Sequence, residues 1–216
     1  MSITKKSYIN NHISIDQQRS IFNSLYEPVN GYELSLKDKK ELNLESDRSY
    51  TFGEISLDGF KEVLEIINTT DEIEFMDLGS GLGKAMVLAS LMLSCKRVVG
   101  VERLPSLADK SKEILNKYCM DIKESYPDVE VPSVSIVSDV FDTISLSTAD
   151  VIFASATCFS DNTIDSITSR VHELKIGAYF IVFTRQITSN HLECIYKGAH
   201  KMVWGLPTVY IYRRKS

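Results

Sequence analysis

The run Ile73-Glu74-Phe75-Met76-Asp77-Leu78, followed at once by Gly79-Ser80-Gly81-Leu82-Gly83 and an apolar stretch from Lys84 to Leu93, constrains this chain more than any other feature. A short apolar run ending in a glycine turn and continuing into a helix is the opening of a parallel α/β unit. Downstream the alternation continues. Arg97 to Glu102 reads as a second strand, and Pro105, suited to a first helical turn, opens a long helix to about Ser125. Val134 to Val137, Val151 to Ala154 and Tyr179 to Phe183 supply further strands. Asp161 to Leu174 supplies a helix that Gly177 is placed to end. Glu193 to Tyr196 and Thr208 to Tyr212 close the chain as two strands joined through Trp204-Gly205-Leu206-Pro207.

Strands alternating with helices predict a parallel sheet with helices on both faces. A last pair without a long helix between them predicts an antiparallel addition at one edge. The expected fold class is therefore α/β, a Rossmann-like sheet of about seven strands, closer to the methyltransferases than to the dinucleotide dehydrogenases. Upstream, Ser14 with Asp16 and Gln17 forms a capping box for a short helix from Ile15 to Leu25. Tyr26 to Arg48 is polar and turn-rich and reads as a loop or lid. Ser56 can cap a helix carrying Leu57, Phe60, Val63, Leu64 and Ile67. The expected division is an N-terminal helix and lid segment over residues 1–50 and a catalytic domain over 51–216.

Composition removes several classes. At 216 residues and 44% hydrophobic the chain can bury one substantial core. Its net charge of -5 supplies no field that would draw it to nucleic acid or an anionic membrane. Arg213-Arg214-Lys215 and Lys37, Lys39 and Lys40 are the compact basic groups, and both read as solvated surface. No apolar stretch is long enough for a transmembrane helix, and Met1 to Asn11 lacks the apolar middle of a leader. Cys95, Cys119, Cys158 and Cys194 have no C-x-x-C pairing, and the four histidines show no metal spacing. No metal site is expected, and an intracellular compartment, nuclear or cytoplasmic, fits best.

The turn itself narrows the ligand. Its spacing is G-x-G-x-G, with Lys84 where a dinucleotide fingerprint has its third glycine, and Lys84 is followed by Ala85, which rules against a P-loop. Such a turn presents backbone N–H groups at a helix start. Asp77, however, stands immediately before it and would repel a pyrophosphate. S-adenosyl-L-methionine has no phosphate and carries an ammonium and a sulfonium, so this carboxylate favours it. Glu102, ending the second strand, is placed to accept both ribose hydroxyls, and Asp139, after the third, to accept from the adenine amino group. Gly79, Ser80, Gly81 and Gly83 complete the cofactor cradle.

Taken together, Thr51-Phe52-Gly53-Glu54-Ile55, Asp77 to Gly83, Val99-Gly100-Val101-Glu102, Val151-Ile152-Phe153 before Ala154 to Phe159, and Val203-Trp204-Gly205-Leu206-Pro207-Thr208-Val209-Tyr210 resemble the disruptor-of-telomeric-silencing type of histone lysine methyltransferases, enzymes unlike the SET-domain class. The resemblance implies that Glu54 holds the methionine ammonium and Phe159 packs near the cofactor. It also implies that Trp204 and Tyr210 line the channel for the target amine. Ser155 stands near the methyl-transfer point where the family has asparagine, Lys84 where it has glutamine, and Phe52 where it has tyrosine. The implied partner is a protein substrate, a histone or nucleosome. An amine entering an aromatic, apolar channel sheds its proton more readily, so no strong base is required. Two alternatives stay open: a methyltransferase for a small molecule or another protein residue, and a cofactor-binding partner subunit without catalysis.

Overall fold

The structure, a computed structural model, describes residues 8–69, 72–139 and 144–216. The first seven residues of the expected lid segment, and of the stretch read as lacking a leader, lie outside the described residues. Along the chain run α1 (Ile15–Tyr26), α2 (Gly31–Glu41), α3 (Leu57–Leu64), β1 (Ile73–Leu78), α4 (Lys84–Met92), β2 (Cys95–Val101) and α5 (Pro105–Ser125). They are followed by β3 (Ser133–Val137), β4 (Val151–Ala154), α6 (Asp161–Arg170), β5 (Tyr179–Phe183), β6 (Leu192–Ala199) and β7 (Thr208–Arg214).

The strands form one seven-stranded sheet in the order β3-β2-β1-β4-β5-β7-β6. From β3 to β5 every pairing is parallel, whereas β7 runs antiparallel between β5 and β6. The strand order reverses beside β1, so the carboxyl ends of β1, β2 and β4 open onto the crevice where sheets of this kind take ligands.

Parity along each strand sorts the core into two layers. In β4, Val151 and Phe153 join the layer built with α1, α3, α4 and α5, while Ile152 and Ala154 join the layer under α6. Phe60, Phe153 and Phe183 make the centre of the first layer, Phe153 lying 4.8 Å from Phe60 and 4.9 Å from Phe183 between ring centroids. Such tilted contacts suit the ring quadrupoles and add to what burial alone contributes. Helix α4 is buried from Ala85 to Leu91, and its apolar character all round is what a sandwiched helix requires.

The helix starts follow their local chemistry. Ser14 accepts from Gln17 N and Gln17 Oε1 accepts from Ser14 N at 2.8 Å, a complete capping box. Ser56 Oγ likewise caps α3 through Gly59 N. This helix stops at Leu64, and Ile67 reaches the core from an irregular turn. In the same way α6 ends at Arg170 and passes into a 3-10 turn before Gly177.

One expectation is overturned. The stretch after Tyr26, read as loop or lid, contains the helix α2. Asn30 caps it by accepting from Glu33 N, and Lys39 and Lys40 sit in its last turn, where cations are favoured. Its buried residues are Gly31, Ser35 and Asp38 rather than an apolar stripe. The reason lies in what it packs against. Leu104, at the N-cap of α5, has no capping side chain, and Asp38 Oδ2 supplies one by accepting from Ser106 N at 2.7 Å. A helix buried for the sake of a carboxylate carries no hydrophobic period to read.

Candidate functional site

The glycine turn is a closed device. Gly79, Gly81 and Gly83 all have positive φ, at 85°, 52° and 79°, which side chains with a Cβ adopt only under strain. With that freedom the backbone folds back on the sheet. Gly79 N and Ser80 N both donate to Val101 O, at 2.9 and 3.0 Å, Gly81 N donates to Glu102 Oε2 at 2.8 Å, and Gly83 N donates to Ser80 O at 2.7 Å. This corrects the reading of the turn as a set of open N–H groups. Four of its amides are already committed inside the protein.

Glu102 is the fastener. Its other oxygen accepts from Leu104 N at 2.8 Å, so one carboxylate joins the turn after β1 to the loop after β2. Burial raises its pKa, and hydrogen bonds from the Leu104, Gly81 and Arg103 amides oppose that rise. Asp77 has no such support. It is 2% exposed, and Oδ1 is buried without a hydrogen-bond partner. Burial first, and Glu102 second, push its carboxyl well above the usual carboxylate range. Ser80 Oγ is also buried and unpartnered. A burial cost of this size, left unrelieved beside a cavity, is a common mark of a ligand site.

The cavity encloses about 530 Å³, within the usual range for small-molecule sites. Of the sequence-predicted residues, Glu54, Asp77, Gly79, Ser80, Gly81, Glu102, Asp139, Ser155, Phe159 and Trp204 line it. Ser155 and Phe159 flank a 3-10 turn, Ala156–Cys158, at the end of β4. That turn is held by the Thr157–Thr184 hydroxyl contact at 2.9 Å and by Arg185 donating to Phe159 O at 3.1 Å. Trp204 is 38% exposed and packs over Gly53, where an added Cβ would stand 3.3 Å from its ring.

Two predicted residues are placed elsewhere. Gly83 is the N-cap of α4, behind the lining. Tyr210, expected in the amine channel, is buried in the layer under α6, its ring 6.2 Å from Tyr212 and nearly parallel to it. The cause is parity: Val209 and Ile211 point into the first layer, so Tyr210 must point into the second.

The structure also shows contacts around the site that the sequence reading did not foresee. Phe52 lies against the turn, and a Cβ on Gly31 or Gly81 would meet its ring at 2.4 or 3.3 Å. Arg103 lines the cavity with its guanidinium over Tyr50, 5.3 Å from the ring centroid. Lys84 Nζ pairs with Glu54 Oε2 at 2.7 Å. The sequence signal for this last pair was opposite charge on two motifs, with nothing to join them. A second, more open cleft of about 410 Å³ adjoins the first through Phe52, Gly53, Glu54 and Trp204.

The fold has counterparts among known proteins. A Listeria monocytogenes protein assigned as an S-adenosylmethionine-dependent methyltransferase superposes with a TM-score of 0.54 at 11% identity, over 73% of this chain and 98% of its own. Escherichia coli yhhF, likewise assigned to the methyltransferases, superposes at 0.52 and 10% identity over 74% and 85%. At such identities the likeness establishes the fold, an S-adenosylmethionine-dependent methyltransferase fold with an antiparallel edge. Among curated proteins, the H3 lysine-79 specific histone-lysine N-methyltransferase of Caenorhabditis elegans is 26% identical over 173 residues. The match covers 77% of this chain but 18% of that much longer protein. The family model described as histone methylation protein DOT1 matches residues 32–204, most of the sequence. The chain therefore belongs to the DOT1 histone methylation family, whose fold implies S-adenosylmethionine as cofactor.

Proposed function

We propose that the chain transfers a methyl group from S-adenosylmethionine to a lysine side chain of a histone. The observation that carries the reading is Asp77: a buried carboxylate with an unpartnered oxygen, near the end of β1, beside a turn four of whose amides are already used. The site offers acceptors where a phosphate-binding turn offers donors, so it fits a cationic ligand. The unpartnered Ser80 hydroxyl in the same wall fits it too.

When bound, the cofactor supplies a methyl group activated by its sulfonium. The work of the protein is alignment, selection and exclusion of water. Asp77 attracts the positive charge, and the lone pairs left on Glu102 accept from a ribose hydroxyl. Asp139, exposed at the end of β3, accepts from the adenine amino group. Phe52, Phe159 and Trp204 enclose the reacting end in apolar surface. There an incoming ammonium loses hydration, its pKa falls, and the proton leaves to water before transfer. Before that proton is lost, the indole face of Trp204 draws the ammonium in by cation–π attraction, and afterwards the ring only packs against the neutral amine. Ser155 positions the amine with a hydroxyl at the strand end. Tyr210 has no place in this scheme, because its ring is in the other layer.

The histone acceptor, and with it work in the nucleus, is supported by the family and by the name of the worm relative. The net charge of -5 also suits a basic protein partner. The test is to supply methyl-labelled cofactor with nucleosomes, free histones and cell extract in parallel. Label on a lysine of nucleosomal H3 is the expected result. Label confined to a metabolite or a non-histone protein overturns the acceptor, and cofactor binding with no transfer to any of them overturns the catalysis.

A further inference from the structure

We propose that Thr184 is a positioning residue for methyl transfer, set in a strained turn so that its hydroxyl fixes the Ser155–Phe159 wall of the cavity. The inference rests on the reading above that transfer takes place beside Ser155.

β5 ends at Phe183, and the chain leaves the sheet there through an unusual bend. Thr184 has φ at 68°, and Arg185 N donates back to Phe183 O at 2.8 Å. A hydrogen bond spanning a single residue of positive φ makes a γ-turn of the rarer and more strained kind. Asn43 and Glu72 also have positive φ, but neither is branched at Cβ, where the crowding arises. Glycine would make the same bend without strain. The bend alone therefore does not account for threonine.

The side chain does. Thr184 Oγ1 lies 2.9 Å from Thr157 Oγ1, and Thr157 lines the cavity together with Ser155, Cys158 and Phe159. From the next residue, Arg185 Nη1 donates to Phe159 O at 3.1 Å, and Nη2 pairs with Asp161 at the start of α6. Two consecutive residues of the γ-turn thus grip the middle and the end of the turn after β4. That turn is weak by itself. It is a single 3-10 turn, closed by Phe159 N donating to Ala156 O at 3.2 Å, with no side-chain cap from Ser155. Both threonines are branched at Cβ and stiff about χ1, so a bond between their hydroxyls leaves the turn little play. From the other side, Thr184 N donates to Thr208 O at 2.7 Å and ties the γ-turn to the start of β7. Strain of this kind persists where the surroundings over-determine it, and it gathers at functional sites. A shift of about 1 Å at the reacting groups is enough to slow a transfer about 100-fold.

The simpler role is to stitch two strand ends together, in which case activity follows stability. Thr184→Gly separates the two, since glycine keeps the bend, relieves the strain and removes the hydroxyl. Its melting temperature should equal or exceed that of the unaltered chain, and its affinity for S-adenosylmethionine should stay within about twofold. With methyl-labelled cofactor and nucleosomes, kcat should fall about tenfold at an unchanged cofactor KM, and Thr184→Ser should recover most of it. Thr157→Val should lower kcat by the same factor, and adding it to Thr184→Gly should lower it no further. In the protein without ligand, the Phe159 amide of Thr184→Gly should exchange its hydrogen about tenfold faster. A fully active Thr184→Gly, equal losses in cofactor affinity and kcat, no recovery in Thr184→Ser, or unchanged exchange at Phe159 each overturns the proposal. If Thr184→Gly melts lower, Thr184→Val, which keeps the shape and loses the hydroxyl, takes its place against Thr184→Ser. An unaltered protein that leaves nucleosomes unlabelled overturns the reading above and this inference with it, whereas failure in the variants alone overturns only the inference.

Discussion

The two ends of the cavity are made differently. At the glycine turn, Asp77 and Glu102 are buried, and the backbone around them is fixed by a closed set of hydrogen bonds reaching from Val101 to Leu104. At the Trp204 end, Val203, Trp204 and Leu206 are exposed on a loop between two antiparallel strands. One end has nothing left to adjust, and the other has apolar surface waiting to be covered. A methyl donor is a single compound and rewards a rigid site, whereas a protein acceptor brings its own shape. The contrast teaches that cofactor affinity and acceptor use should be separable by mutation.

The largest effect is expected at Asp77. Asp77→Ala should weaken S-adenosylmethionine about 100-fold, on the order of 3 kcal/mol, as the loss of a buried charge contact does. Asp77→Asn should show the reverse side of the same burial. Because the folded carboxyl titrates above its unfolded value, its favourable contribution is complete below about pH 4 and is lost as pH rises through the folded pKa. The asparagine variant escapes that loss. Without ligand it should melt higher than the unaltered protein at neutral pH, with the gap closing in acid. A gap that persists unchanged in acid would mean that the carboxyl titrates normally.

The same linkage has a second reading. A cation arriving beside Asp77 restores the ionised form, so binding should release protons and tighten as pH rises toward the elevated pKa. Titrations in buffers of different ionisation enthalpy measure that release directly. Glu102→Gln comes next. Gln offers an N–H toward amides that need an acceptor, at Gly81 or Leu104, and should cost about 1–3 kcal/mol of stability together with cofactor affinity.

Trp204→Ala tests the other end. It should leave cofactor affinity within about threefold and lower methyl transfer about tenfold, the scale of one cation–π contact. Tyr210→Phe should change neither. A Tyr210→Phe protein as crippled as Trp204→Ala would erase the separation of the two ends. The smallest loss is expected at Asp38, where alanine removes the borrowed cap of α5 and should cost about 1 kcal/mol in a melt.

Much of the fold was legible because its signals are local. β1, its turn and α4 are contiguous, and the capping box at Ser14 spans four residues, Ser14 to Gln17. β4 and β5 are buried on both faces along their whole length, and β1 nearly so, which sequence displays as short, largely apolar runs. The antiparallel edge could be read from a missing helix. What stayed hidden is held by partners far apart in the chain. Asp38 caps a helix 68 positions away, so α2 shows no stripe of its own. Glycines announced a turn, yet not that its amides would point back into the sheet rather than out to a ligand. The three acidic strand ends were legible as candidates and do line one cavity, but Tyr210 was not placeable. In β7 a shift of one residue decides which layer a ring enters, and residue type does not record that parity.

The committed amides carry a consequence for the company such a protein keeps. Adenosine is the common handle of many cellular molecules, most of which carry phosphates, and a crevice at this place in this kind of sheet is where several of them are taken up by other proteins. Here four of the turn's donors have been spent on Val101, Glu102 and Ser80 before any ligand arrives. Each committed amide is one donor fewer for a nucleotide's phosphates, with no clash or gate involved. It is a matter of prior engagement, written into the same hydrogen bonds that give the turn its shape.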